Sequence, residues 1–284
     1  MLLLGDYNTL RIVKRVDFGL YLDGGPAGEI LLPKRYAPQA ANVGEELQVF
    51  IYLDQDERII ATTEHPKARV GEFAYLECKW VNQHGAFLDW GLMKDLFCPF
   101  REQKQRMERG KRYLVYVYID EESYRIVASA KVEHFLSKDL PPYQAGDEVD
   151  LLVWQKTELG WKVIVNGQHQ ALVYRNQVFR PLHAGDRSKG YITAVRGDGK
   201  IDVALQRGAH DHATDFADTL LSYLYDHNGR CPLGDKSDAE DIKETFQVSK
   251  RVFKQAVGDL FRRRLITLSD RAISLNSTEK PSEE

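Results

Sequence analysis

Residues 76–91 read LECKWVNQHGAFLDWG: an apolar-rich strand, a short polar turn with glycine, and a second strand. The same pattern stands at 10–24, LRIVKRVDFGLYLDG, and at 151–167, LLVWQKTELGWKVIVNG, with Gly19, Gly85 and Gly160 in register. Third strands follow at 29–33 (EILLP), 95–99 (DLFCP) and, less regularly, 170–174 (QALVY). Each copy resumes with glycine and a charged residue, Gly44-Glu45, Gly110-Lys111 and Gly185-Asp186. Two further strands come next, at 49–63, 115–130 and 190–205, the last pair turning on Gly197-Asp198-Gly199. Gly19 to Gly85 and Gly44 to Gly110 both span 66 positions, and Gly85 to Gly160 and Gly110 to Gly185 both span 75. Equal offsets at two landmarks indicate duplication.

Five short strands in ~65–75 residues are the content of a small closed β-barrel of the OB type, whose closure removes exposed strand edges. The expected architecture is multi-domain and mainly β, with three tandem five-stranded OB-type barrels at 1–66, 67–140 and, in degenerate form, 141–209. One large β-sandwich of similar strand count is the alternative. From residue 210 the apolar period changes from 2 to 3.6. Ala213, Phe216, Ala217, Leu220 and Leu224 form a stripe on a first helix that ends near Asn228-Gly229. Ser237 and Glu240 read as a capping box for a second helix burying Ala239, Ile242 and Phe246. Ser249 caps a third, with Phe253, Ala256, Val257 and Leu260 inward, before a strand hairpin at 265–275. This is the order of an α+β winged-helix domain at 210–276, followed by a polar tail at 277–284.

Of 284 residues, 43% are hydrophobic and 29% charged, which excludes wholesale disorder. The net charge of −3 divides into −4, +2, +2 and −3 over residues 1–66, 67–140, 141–209 and 210–284, so indiscriminate electrostatic capture of nucleic acid is not expected. Leu2-Leu3-Leu4 stops at Gly5-Asp6, too short for a secretory leader, and no stretch reaches the ~20 apolar residues of a membrane span. Cys78, Cys98 and Cys231 lie far apart without C-x-x-C spacing, which predicts reduced thiols, a cytoplasmic location and no zinc site. Short links containing Pro66 and Pro141-Pro142 imply limited swing between barrels.

The strongest functional feature is a pair of rings three apart across the glycine: Phe18 and Tyr21, then His84 and Phe87. On one face of a bent strand they make a stacking platform for unpaired bases; the plainer reading is that they fill barrel interiors. The third copy, Leu159-Gly160-Trp161-Lys162, does not keep the spacing and offers Trp161. Lys34 and Arg35, and the connection carrying Arg101, Lys104, Arg106, Arg109, Lys111 and Arg112, supply cations to track phosphates, or form solvated loops with their own acids. Lys250, Arg251, Lys254 and Arg262 lie opposite the apolar stripe of the third helix, where such a face can enter a groove or dock on protein.

Enzyme signatures are thin. His210-Asp211-His212 with Asp215 gathers metal-capable groups, but i, i+2 histidines on a helix point apart, and a solvated linker is the preferred reading. No nucleophile elbow, metalloprotease, Walker or Rossmann pattern occurs. The carboxylates at 54–57 and 120–122 occupy equivalent hairpin tips and read as turn chemistry, and Cys98 as buried and inert. No catalytic residue, metal or cofactor is expected.

The segment His84-Gly85-Ala86-Phe87-Leu88-Asp89, with the later Ile119-Asp120 and 125–129, is similar to the RNA-binding OB domain named after a large ribosomal small-subunit protein. Three such domains and a terminal winged helix, with residues 232–268 the most specific part, resemble the bacterial conserved virulence factor B family, also called YitL. The resemblance implies a cytoplasmic, non-catalytic RNA-binding protein that influences gene expression. It implies RNA contact by Phe18 and Tyr21 and by His84 and Phe87, and a later acid–base pair at Asp54 and Arg58 and at Asp120 and Arg125. A histidine often present on the third strand is replaced by Leu31, Phe97 and Leu172, so Phe97 alone can stack and the second barrel should dominate affinity. The leading reading is thus a binder of single-stranded or flexible RNA whose linked sites add affinity. The alternatives are a transcription regulator whose winged helix reads duplex DNA, and a ribosome- or nuclease-associated adaptor whose barrels mainly bind protein; the ribosome and RNA-processing proteins are the expected protein partners. No membrane partner is expected.

Overall fold

The structure, a computed structural model, describes residues 2–178, 181–206 and 209–276, the side chains of 209–215 excepted. It forms two compact units, Met1–Leu136 and Ser137–Glu284. The first unit holds strands β1 (Tyr7–Val16), β2 (Gly19–Asp23), β3 (Glu29–Pro33), β4 (Glu46–Leu53) and β5 (Ile59–Thr62), then β6 (Phe73–Val81), β7 (Gly85–Leu88), β8 (Leu96–Pro99), β9 (Arg112–Ile119) and β10 (Ile126–Ser129). The second holds β11 (Glu148–Lys156), β12 (Gly160–Val165), β13 (His169–Tyr174), β14 (Arg187–Val195) and β15 (Ile201–Ala204). It continues with helix α1 (Ala209–Asp226), β16 (Arg230–Cys231), α2 (Ala239–Phe246), α3 (Lys250–Arg262), β17 (Ile266–Leu268) and β18 (Ile273–Leu275).

The fifteen barrel strands close into three barrels of one topology, first–second–third–fifth–fourth around the ring. Every pairing is antiparallel except third with fifth, where Leu31 meets Ile60, Phe97 meets Val127 and Leu172 meets Asp202. The repeated glycines have a steric cause. A Cβ on Gly19, Gly85 or Gly160 would lie 2.2, 2.4 or 2.0 Å from the carbonyl oxygen of Leu32, Cys98 or Val173, so only glycine lets the second strand approach the third. The first strand of each barrel carries a β-bulge, between Ile12 and Lys14, Cys78 and Trp80, and Val153 and Gln155. A bulge inserts one residue and re-aims the side chains beyond it.

Alternation along the strands fills each interior: Ile12, Leu20, Leu22, Ile30 and Leu32 in the first barrel, Leu76, Leu88, Leu96, Cys98 and Val115 in the second, Val153, Val163, Val165 and Val173 in the third. Strand β4 breaks the alternation, because Val49, Phe50, Ile51 and Tyr52 are all buried. Val49 and Ile51 belong to the first barrel's core, whereas Phe50 and Tyr52 join Ala68 and Trp90 in the cluster that continues into the second barrel. Phe50 meets the Trp90 ring edge-on at 5.6 Å, and the Trp90 indole N–H donates to the Ala68 carbonyl at 2.7 Å. Barrels one and two are therefore joined by a dry aromatic interface, which fits the limited swing expected of their link.

The C-terminal part has α1, α2 and α3 over a three-stranded sheet ordered β16-β18-β17, packed around Phe216, Leu220, Leu224, Ile242, Phe253, Val257 and Leu260. Strand β16 is an addition to the expected hairpin. Ser249 caps α3, its hydroxyl accepting from the Val252 N–H at 3.3 Å. The second helix starts differently from expectation: its N-cap is Asp238, and the buried Ser237 hydroxyl accepts from the Gly234 N–H at 2.8 Å, so the turn before the helix consumes it. Ala239 is exposed rather than buried, leaving Ile242 and the half-buried Phe246 as the inward face of a helix only eight residues long. The side chains of His210, Asp211, His212, Ala213 and Asp215 lie outside the described residues.

Candidate nucleic-acid interface

One row of cross-strand partners runs along the outer face of each barrel. In the second barrel the row runs Trp80, Phe87, Phe97 across β6, β7 and β8. The bulge at Cys78/Trp80 aligns the indole with the Phe87 ring, and the two stack at 3.7 Å and 2°. Phe97 adds a third ring at 5.0 Å and 39° from Phe87. Trp80 remains 43% exposed, with its indole N–H donating to Asp95 Oδ2 at 3.1 Å. The Lys79 ammonium bridges Asp95 Oδ1 at 3.0 Å and Asp89 Oδ1 at 3.3 Å; the hydrogen bond to Asp95 is the main reason its pKa is raised. This network fixes the edge of the aromatic surface.

The three rings line a cleft of about 890 Å³. His84 stands at its rim on the β6–β7 turn, where Asn82 Oδ1 accepts from the His84 and Gly85 N–H groups. His84 does not contact Phe87 as a ring pair; its ring nitrogen is 3.1 Å from the Gln83 amide. Lys94 and Arg125 also line the cleft, and the first barrel contributes Leu53, Gln55 and Glu57 from the β4–β5 hairpin. Lys94 donates to the Asp54 carbonyl at 2.6 Å, and its partial burial lowers its pKa.

In the first barrel the corresponding row is Lys14, Tyr21, Leu31. Phe18 and Tyr21 do meet, edge-on at 6.2 Å, with Phe18 57% exposed and Lys14 over the Tyr21 ring at 5.1 Å. Lys34 is exposed after β3, and Arg35 lies over the Tyr36 ring at 4.5 Å with a nitrogen 2.9 Å from the Met93 sulfur. Arg58 is held by Asp54 and Asp56, each at 2.8 Å.

In the third barrel the row is Gln155, Lys162, Leu172, with Leu159 where His84 stands. A groove of about 540 Å³ persists there, but Tyr174 is the one aromatic among its described lining residues, and its hydroxyl is held by Arg196. Trp161 lies off this row, half-buried and lining a second groove of about 570 Å³ with Lys156 and Arg175. It directly follows the glycine, as Leu20 and Ala86 do, and so packs against the barrel core while Lys162 takes the outward position.

The hairpin after the fourth strand closes alike in two barrels, Asp54 N–H to the Arg58 carbonyl and Asp120 N–H to the Arg125 carbonyl, both 2.9 Å. The side chains part company. Asp120 accepts from Ser123, which is the main reason its pKa is lowered, and pairs with Arg101 at 2.7 Å; Arg125 pairs with Glu57. In the basic connection, Lys104 pairs with Glu133, Lys111 with Glu108 and Arg112 with Glu77, while Arg106 lies 3.5 Å over the Phe100 ring. Such exposed pairs are weak, ~0–1 kcal/mol. On α3, Arg251, Lys254 and Arg262 are exposed and Lys250 half-buried; Lys254 pairs with Asp235 at 3.0 Å and Arg262 with Asp259 at 3.7 Å.

Among the described residues no cluster of three or more His, Cys, Asp or Glu groups is placed to hold a metal, and no helix is long and apolar enough to cross a membrane. The three cysteines are free and buried, and burial pushes the Cys98 thiol up to about 12.

Residues 4–64 match the S1 domain and residues 218–275 the CvfB-like winged helix domain. YitL of Bacillus subtilis is 28% identical over 267 residues, covering 91% of this chain and 89% of that protein. Conserved virulence factor B of Staphylococcus aureus is 23% identical over 265 residues, covering 90% and 88%. A solved Streptococcus pneumoniae structure described as a multidomain protein with nucleic acid binding domains aligns over 96% of this chain and 98% of its own at 20% identity, with a TM-score of 0.42. The matched S1 domain is of a nucleic-acid-binding kind.

Proposed function

We propose that this chain, similar to YitL and to conserved virulence factor B over about nine-tenths of its length, is a non-catalytic, cytoplasmic RNA-binding protein that regulates gene expression after transcription. It takes single-stranded or flexible RNA on the outer faces of its barrels. The observation that carries this reading is the Trp80–Phe87–Phe97 surface, three rings from three adjacent strands open to a cleft with Lys94 and Arg125 on its wall. Unpaired bases stack on such rings whatever their sequence, each worth ~1–3 kcal/mol, whereas a duplex hides its base faces. The two-ring face of the first barrel adds a weaker contact in series, and ribosomal or RNA-processing proteins are the partners this role would bring.

The test is a fluorescence-anisotropy titration of mixed-sequence single-stranded RNA and of matched duplex DNA with the intact chain and with Phe87→Ala. Preference for RNA, reduced in the variant, supports the proposal. Preference for duplex, lost on replacing Lys250, Lys254 and Arg262, would move the activity to the winged helix and overturn it.

A further inference from the structure

We infer that Glu57, carried by the first barrel, tunes the second barrel's cleft by occupying Arg125, so that the cleft offers rings to bases while withholding a cation from the phosphate backbone. The inference deepens the RNA reading and rests on it. In the first barrel, Arg58 is held by Asp54 of its own hairpin, at 2.8 Å. In the second, the equivalent Asp120 is engaged by Arg101 and Ser123, and Arg125 pairs with Glu57 across the cleft instead. The carboxylate is delivered by a fixed structure. The Phe50–Trp90 interface joins the barrels, and Lys94 clamps the hairpin through the Asp54 carbonyl at 2.6 Å. Glu57 itself adopts a left-handed backbone, φ +64°, which an L side chain rarely takes, at the hairpin tip that lines the cleft.

A cation paired with a carboxylate releases few counterions when a phosphate arrives, so the pair should be visible in the salt dependence. Intact chain, Glu57→Gln, Glu57→Gly, Phe87→Ala and the double variant Glu57→Gln/Arg125→Ala are titrated with a mixed-sequence single-stranded RNA at several salt concentrations. Freeing Arg125 for one phosphate is expected to steepen the log–log slope by about 0.7, to tighten binding about fivefold near 0.1 M salt, and to lose that advantage near 1 M. Glu57→Gly, which suits the left-handed backbone, should behave like Glu57→Gln, and the double variant should lose the gain. An unchanged slope in both Glu57 variants, while Phe87→Ala still weakens binding, overturns the role of Glu57 and leaves the RNA reading standing. No RNA binding, or binding indifferent to Phe87→Ala, overturns both.

Discussion

The second and third barrels share a scaffold and differ in their faces. Both have the bulged first strand, the glycine pressed against a third-strand carbonyl, the same ring order and a groove at the same place. Yet the row that reads Trp80, Phe87, Phe97 in one reads Gln155, Lys162, Leu172 in the other. The features that close the barrel are thus separable from those that set the outward aromatic surface. Keeping the fold constrains the glycine and the inward positions; the outward row is free to change chemistry.

The largest effect tests the shared scaffold. Gly85→Val and Gly160→Val each drive side-chain atoms into a backbone carbonyl that cannot yield, and each should destabilise its barrel by about 3 kcal/mol or more, read by denaturant unfolding. A mild cost in one barrel only would show that the two are not built alike. Next comes the face. Trp80→Ala or Phe87→Ala should weaken RNA binding by about 1–3 kcal/mol, whereas Gln155→Ala or Lys162→Ala should change it by less than about 0.5 kcal/mol. Phe18→Ala belongs between them, since its ring is exposed but meets Tyr21 only edge-on.

Two smaller effects sharpen the picture. Asp89 is held below the ordinary carboxylate range chiefly by its hydrogen bond from Lys67, and Asp120 chiefly by Ser123. A depressed folded pKa means stability that is present above the unfolded value and lost as pH falls through the folded one. The melting temperature should therefore decline between about pH 5 and pH 3, less steeply in Asp89→Asn than in the parent, as followed by circular dichroism. Finally, the buried Cys98 thiol, pushed up to about 12, should resist alkylation in the folded chain and react after unfolding.

The barrel count, the strand positions along the chain and the winged helix were legible because each is written locally: glycines at fixed offsets, alternation, then a 3.6-residue stripe. Phe18 and Tyr21 were legible for the same reason. Trp80 was not, although it stands in the repeat 66 positions after Lys14, because the bulge shifts which side chains share a face and no simple period records it. Trp161 stands on a different face from the row: its ring follows the glycine by one residue, where Tyr21 and Phe87 follow by two. The burial of Phe50 and Tyr52, and the reach of Arg125 to Glu57, depend on one barrel meeting another. Contacts of that kind have no local signature.

On the proposed function, rings in one outward row, rather than the barrel fold itself, give the second barrel its affinity for RNA. The most direct test moves the row: Gln155→Trp, Lys162→Phe and Leu172→Phe are introduced together into a chain already carrying Trp80→Ala and Phe87→Ala, and affinity for single-stranded RNA is measured by anisotropy. Recovery of about 1 kcal/mol or more is expected. A folded variant that binds no better than its parent would contradict the proposal.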